Sequence, residues 1–166
     1  MVELQPLEHK DCKKLVAWNA DKDENYLYQW AGHKVYTFPL TVEQISTRFG
    51  QENLLFFKLL DNSEMIGCVE LAKIDKAAGY AQICRFILRD DRCGNGLGQI
   101  ALRQLVAFAF EDLKLLRLEL NVYTFNLRAI QCYLNVGFVI DEQNDHPDNP
   151  HWNVFSMSII KGKDDL

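Results

Sequence analysis

The chain lacks the patterns that announce several common chemistries. Its five cysteines, Cys12, Cys68, Cys84, Cys93 and Cys132, include no C-x-x-C pair. That odd count argues against a disulfide framework and against a zinc knuckle. Reduced thiols in a cytosol are the simplest account, so a cytoplasmic location is expected. No two of His33, His146 and His151 have metal-ligand spacing, and no metal is expected. Basic residues are in deficit: 18 Lys and Arg face 23 Asp and Glu, for a net charge of −5. Broad nucleic-acid binding through a basic surface is thereby excluded. No apolar run approaches the ~20 residues of a membrane span, and Met1–Pro6 has no basic region leading into an apolar stretch. There is no repeat, low-complexity tract or linker. Residues 1–166 read as a single domain, long enough for a proper core and short for two.

What is present is a clear alternation of periodicities. Val2 to Leu7 alternates as a strand, and Glu8 to Asn19 has helical spacing. Asp21 to Gly32 is open between a helical turn and a loop. Thr41 and Gln44 form a capping-box pattern for a helix running to about Phe49. Asn53–Leu60, Met65–Ile74 and Gly79–Leu88 read as three strands, with Asp61-Asn62-Ser63 as a hairpin turn. Leu97–Leu113 is a helix, Leu116–Val122 a strand, and Asn126–Asn135 a helix closed by Gly137. Phe138–Asp141 and Val154–Ile160 are the last strands. The order predicts an α+β fold, a mixed and mostly antiparallel sheet of about seven strands flanked by about four helices. A parallel crossover is expected around residue 95.

The most informative stretch is Gly94-Asn95-Gly96-Leu97-Gly98, between a strand and a helix. Glycines let the main chain close on a ligand, and the helix aims its free N–H groups and positive dipole end at the same point. This is the layout of a phosphate cradle. It is not a Walker loop, because Gly98 leads into Gln99-Ile100 with no Gly-Lys-Ser/Thr. It is not a dinucleotide fingerprint either, because its spacing differs and the preceding strands form a meander.

A second segment narrows the ligand. Asn126, Ala129, Tyr133, Gly137 and Phe138 form an N-x-x-A-x-x-x-Y-x-x-x-G-F pattern after the next strand. With the Cys93–Gly98 loop, this resembles the GNAT superfamily of acyl-CoA-dependent N-acyltransferases over roughly residues 80 to 140. Trp30 with Phe38-Pro39-Leu40-Thr41 resembles the branch that contains ribosomal-protein N-terminal acetyltransferases. The resemblance implies acetyl-CoA as co-substrate, with Cys93, Gly94, Asn95, Gly96, Leu97 and Gly98 around its pyrophosphate. It also implies that Ile87 and Leu88 offer main-chain groups to the pantetheine arm. One departure stands out: Cys93 occupies the family's Arg/Gln position, which leaves Arg89, Arg92 or Arg103 to supply a cation.

The chemistry follows from the resemblance. Amine acylation by a thioester needs a neutral amine, a stabilised oxyanion and a protonated leaving thiolate. Tyr133 is expected as the general acid, since a phenol of pKa near ~10 carries its proton at neutral pH. Asn126 lies seven residues before Tyr133, two turns and about 10 Å along one helix face. It is read both as a pantetheine contact and as the helix N-cap. Glu70 is the carboxylate available as general base, and a base is dispensable for an amine of pKa near ~8. Covalent catalysis by Cys93 is not expected, because its motif position lies beside the pyrophosphate.

The acceptor side falls to the first third of the chain. Tyr26, Tyr28 and Trp30, among Asp21, Asp23 and Glu24, form either an aromatic cage for a cationic amine or loop packing against the sheet. The expected function is acetyl transfer to a primary amine by direct attack in a ternary complex. The acceptor is either a protein N-terminus or a small molecule. A non-catalytic CoA-binding sensor with the same fold is the alternative. The last strands leave a homodimer open.

Overall fold

The computed structural model describes residues 1–162. Its seven strands are β1 Val2–Pro6, β2 Leu55–Asp61, β3 Glu64–Asp75, β4 Tyr80–Leu88, β5 Arg117–Tyr123, β6 Val139–Asn144 and β7 Val154–Ile160. They form one sheet in the order β1-β2-β3-β4-β5-β7-β6. The β4–β5 pair is parallel and the other neighbouring pairs are antiparallel. The expected α+β fold with a mostly antiparallel sheet is thus observed.

Five α-helices flank the sheet: α1 Cys12–Asn19, α2 Glu24–Ala31, α3 Val42–Ser46, α4 Leu97–Ala107 and α5 Leu127–Val136. That is one more than expected, because the open stretch after Asp21 is a helix. Asp23 caps it, its carboxylate accepting from the Tyr26 N–H at 2.9 Å. Thr41 caps α3 by accepting from the Gln44 N–H at 3.3 Å. The Gln44 side chain does not return the bond. It reaches farther back, to the Thr37 N–H and the carbonyls of Thr37 and Pro39, and so ties down the loop before the helix. The helix expected over Leu97–Leu113 is α-helical to Ala107 and widens to a π-helix over Phe108–Asp112.

Both sheet faces are covered, which explains why β3 is buried almost end to end rather than on alternate residues. On one face Ala101, Leu102 and Leu105 of α4 and Ile130 and Tyr133 of α5 pack with Leu59, Ile66, Leu71 and Leu118. On the other, Leu15 of α1, Leu27 of α2 and Ile45 of α3 pack with Phe56, Met65 and Cys68. Lys58 is buried within this scaffold, paired with Asp11 at 2.9 Å, and fastens the first turn to β2.

One feature of the sheet prepares the site. β4 and β5 are in register over only three residue pairs, Tyr80 with Arg117, Ala81 with Leu118 and Gln82 with Glu119. Beyond Gln82 the two strands part. β5 stays paired with β7 along its whole length, from Arg117–Ile160 to Tyr123–Val154. β4 stays on β3 but carries an irregularity between its Glu70–Cys84 and Cys68–Ile87 pairs, with Arg85 there at φ 47°. A bulge of this kind bends and twists the strand that carries it.

Gly67 of β3 shows how closely β4 is held. A Cβ there would overlap the Ile87 carbonyl oxygen and lie 2.9 Å from Leu88 Cδ2. Gly67→Ala should therefore cost about 1–3 kcal/mol of stability, read as a lower urea midpoint at unchanged slope. An unchanged midpoint would mean that β4 yields more readily than its contacts indicate.

Candidate active site

The gap between β4 and β5 opens into a cavity of about 1120 Å³. Its walls come from the second half of β4, the turn before α4, the end of β5, the start of α5 and two loops, after α2 and after β6.

The glycine turn forms one end. Gly94 and Gly96 have φ of 83° and 75°, and a Cβ on either would meet nothing within 4 Å. Backbone conformation, not crowding, selects glycine at both. Gly98 has the opposite reason: a Cβ there would lie 3.2 Å from Leu88 Cδ1 and 3.7 Å from Cys132 Sγ. Its bareness lets α4 settle on β4. Gly94, Gly96, Gly98 and Cys93 line the cavity, whereas Asn95 and Leu97 do not, Leu97 packing on the core instead. Gly96 is the N-cap of α4 and has no side chain to satisfy the first-turn N–H groups, so these remain open to an anion.

The cations expected to help this end are engaged elsewhere. Arg89 pairs with Asp91 at 2.5 Å and Glu64 at 2.7 Å. Arg92 pairs with Glu64, and Arg103 donates to the Asn135 carbonyl at 2.5 Å. The Cys93 thiol turns back to the Arg89 carbonyl, at 3.6 Å. Sequence reasoning missed Arg128, in the first turn of α5. It lines the cavity and is in no ion pair among the described residues.

Along the gap the main chain alternates. The Arg89 N–H bonds the Ile66 carbonyl on β3 at 2.8 Å, and Leu88 stands opposite Gly67. Leu88 thus occupies a non-hydrogen-bonded position of that ladder, and its N–H and C=O face away from β3, into the gap. Ile87 faces β3 with its main-chain groups. Of the two residues expected to offer these groups to a ligand, Leu88 is so oriented and Ile87 is not.

Opposite β4 stand two residues of α5. Asn126 lines the cavity and also caps the helix, its Oδ1 accepting from the Ala129 N–H at 3.3 Å. Tyr133 is buried on the same helix and lines the cavity. Its hydroxyl has no hydrogen-bond partner among the described residues. Burial, assisted by Cys132 and Cys84, pushes its pKa above the usual phenol value. Burial likewise pushes the Cys132 thiol up to about 11 and raises that of Cys84, so these two thiols are protonated near neutrality.

The other end differs from expectation. Tyr26 lies by the glycine turn, donating to Asp90 at 3.3 Å. Tyr28 bonds Glu24 at 2.7 Å and does not line the cavity. Trp30 does, with its Nε1 bound to Asn19 at 2.9 Å. The aromatic wall is built instead from His33, Tyr123 and Trp152. His33 meets Trp152 edge-on at 4.6 Å, and Trp152 meets Tyr123 at 5.0 Å. These residues are distant in sequence, and only the fold unites them.

Glu70 does not line the cavity. It is fully buried, accepting from both Nη atoms of Arg48 and from Arg85 Nε at 2.6 Å. A carboxylate held on both oxygens by two guanidiniums anchors them and is badly positioned for the proton transfer expected of it as a base. Among the described residues there is no cluster of three or more metal-ligating side chains. No described helix is long and apolar enough to cross a membrane.

Residues 2–139 match the family model of the acetyltransferase (GNAT) domain. The chain belongs to the GNAT acetyltransferase family. It is 29% identical over 140 residues to acetyltransferase PseH of Campylobacter jejuni, covering 84% of each chain. It is 23% identical to spermidine N(1)-acetyltransferase of Escherichia coli strain K12 over 163 residues, 96% of this chain and 86% of that one. In fold it is similar to spermidine N-acetyltransferase from Vibrio cholerae in complex with CoA and spermine. That TM-score is 0.80 at 20% identity, covering 96% of this chain and 95% of the other. Family and relatives make this GNAT protein an acetyl-CoA-dependent N-acetyltransferase.

The anchor role of Glu70 has a measurable signature. Glu70→Ala leaves two buried guanidiniums without their counter-charge and should lower stability by about 3–5 kcal/mol, seen in urea unfolding. A fully stable variant with its activity abolished would return Glu70 to the list of proton acceptors.

Proposed function

We propose that this acetyltransferase passes the acetyl group of acetyl-CoA to a small-molecule primary amine by direct attack in a ternary complex. Tyr133 protonates the departing thiolate. The observation that carries this reading is the Tyr133 phenol, buried on α5, facing the gap and unpartnered among the described residues. Its raised pKa keeps the proton in place over the working range of the reaction.

The other roles follow from position. The main-chain N–H groups at Gly94 to Gly98 and the start of α4 cradle the pyrophosphate, with Arg128, in no ion pair among the described residues, as the cation from α5. The pantetheine arm lies in the gap, where the Leu88 N–H polarises the thioester carbonyl and then holds the oxyanion. Asn126 contacts the arm. The acceptor enters from the end walled by Trp30, His33, Tyr123 and Trp152. In the step itself the amine lone pair forms the C–N bond and the C–S bond breaks. The thiolate takes the Tyr133 proton, the ammonium proton leaves through water, and solvent restores the phenol. The named activity of the spermidine N(1)-acetyltransferase supports a small-molecule acceptor over a peptide N-terminus. One continuous sheet supports a single catalytic domain over residues 1–166, and five free cysteines support a reducing, cytoplasmic setting.

Tyr133→Phe should lower kcat by about 10²–10⁴-fold while retaining the stabilisation given by acetyl-CoA, about 2.7 kcal/mol at a hundredfold excess over Kd. An unchanged kcat reassigns Tyr133 to packing, and no thermal shift with acetyl-CoA removes the donor site. In the native enzyme the rate should hold or climb between about pH 7 and pH 10 as the amine loses its proton. A falling limb in that window would mean that a group other than Tyr133 is the acid.

A further inference from the structure

The anchor below the cavity floor is not neutral. Arg48 and Arg85 share the single carboxylate of Glu70, and neither has a second ion-pair partner among the described residues. Two guanidiniums against one carboxylate leave one positive charge over. Arg48 is spent: both its Nη atoms bind Glu70, and one also donates to the Tyr36 hydroxyl at 3.3 Å. Arg85 is not. Its Nε donates to Glu70, its two Nη groups have no partner among the described residues, and it lines the cavity with a side chain only 13% exposed. Its φ of 47° is a left-handed conformation that a non-glycine residue rarely adopts. The bulge and the Glu70 pair therefore fix where this guanidinium points.

The surroundings reinforce the charge. Lys73 on β3 and Lys34 on the loop after α2 line the same cavity and are in no ion pair among the described residues. Two acids line it too. Asp90 is neutralised by Lys22 at 2.6 Å, which leaves Asp145 alone against Arg85, Lys73 and Lys34. Burial raises the Cys84 thiol; Arg85 pulls against that rise, Glu70 adds to it, and Lys73 and Arg48 oppose it too, so three cations and one acid act on this wall residue. The acceptor end is thus electropositive although the chain as a whole carries −5. A buried, uncompensated charge is costly unless something of opposite sign meets it.

We infer that the acceptor carries an anionic group, a carboxylate or a phosphate, besides its amine, and that the free edge of Arg85 with Lys73 and Lys34 binds it. The inference rests on the acetyl-transfer reading above and narrows its acceptor. A planar guanidinium edge matches either oxyanion through paired N–H donors. A polyamine would bring further cations to a wall that already has an excess of them.

The test compares acceptors that differ only in the anion. Thiol release from acetyl-CoA is followed with β-alanine against β-alaninamide and with phosphoethanolamine against ethanolamine, and with spermidine as the polycation. The expected result is a kcat/KM about tenfold or more higher for at least one acidic member over its neutral partner. The pair that responds says whether carboxylate or phosphate is the fit. Masking the carboxylate also makes the amine less basic, which favours the amide, so a preference for the acid runs against that bias. Arg85→Gln and Lys73→Asn should each lower the acid-to-neutral ratio through KM, and Arg85→Lys should restore part of it. Asparagine is chosen because Lys73 also has a positive φ, 51°. A melting curve checks that each variant folds, and Lys73→Asn reports independently if Arg85→Gln does not. Turnover with equal or better use of neutral amines or spermidine overturns this inference and leaves the enzyme reading standing. If no amine is acetylated, the acceptor reading fails. Calorimetry of the CoA-saturated protein with phosphoethanolamine, β-alanine and their neutral partners then decides the anion site alone. Binding of an acidic member only, lost in Arg85→Gln, upholds it, and no binding or equal binding overturns it.

Discussion

The site depends on β4 and β5 being neighbours for three rungs and then ceasing to be. In a closed sheet every central strand spends its N–H and C=O groups on both sides. Here β5 finds a full partner in β7 and β4 finds one in β3, so their parting leaves one edge of β4 uncommitted inside the protein. That edge can accept an extended ligand as though it were a missing strand. The parallel crossover adds the rest. It brings the start of α4 to the end of β4, and the connection from β5 brings α5 to the opposite bank.

The second constraint is the way the two sheet faces are used. α4 and α5 pack on the face beside the proposed donor side, while α1, α2 and α3 cover the reverse face and send the loop after α2 around to the cavity. The donor half is therefore made from regular elements with fixed positions. The acceptor half comes from loops and strand ends, including the segment around Trp152. Loops tolerate change that a packed helix does not, which suits a scaffold with one donor and many acceptors.

This division also explains what was legible in the sequence. Gly94, Gly96 and Gly98 and the Asn126–Tyr133 spacing are local patterns. Each is governed by a turn or by a helical period within a dozen residues. Glu70 illustrates the opposite case. Its fate is decided by Arg48 and Arg85, 22 and 15 residues away, and nothing in the β3 pattern announces that two guanidiniums will meet there. The same holds for Arg89 and Arg92, whose acid partner Glu64 becomes adjacent only through the antiparallel pairing of β3 with β4. The stretch that carries Tyr26 is open between helix and loop in the sequence. Once helical, it directs that phenol to Asp90. The aromatic wall was invisible because His33, Tyr123 and Trp152 lie on three separate segments.

Asn126 shows how a residue can hold two offices at once. Capping and ligand contact looked like competing explanations of the same side chain. The carbonyl oxygen accepts from the helix and the amide nitrogen has no partner among the described residues, so one side chain has room for both roles. On the proposed course of the pantetheine arm, the hydrogens of that nitrogen favour a carbonyl beside them, while the oxygen keeps its second lone pair. The helix cap would thereby bias which way round an amide lies in the gap.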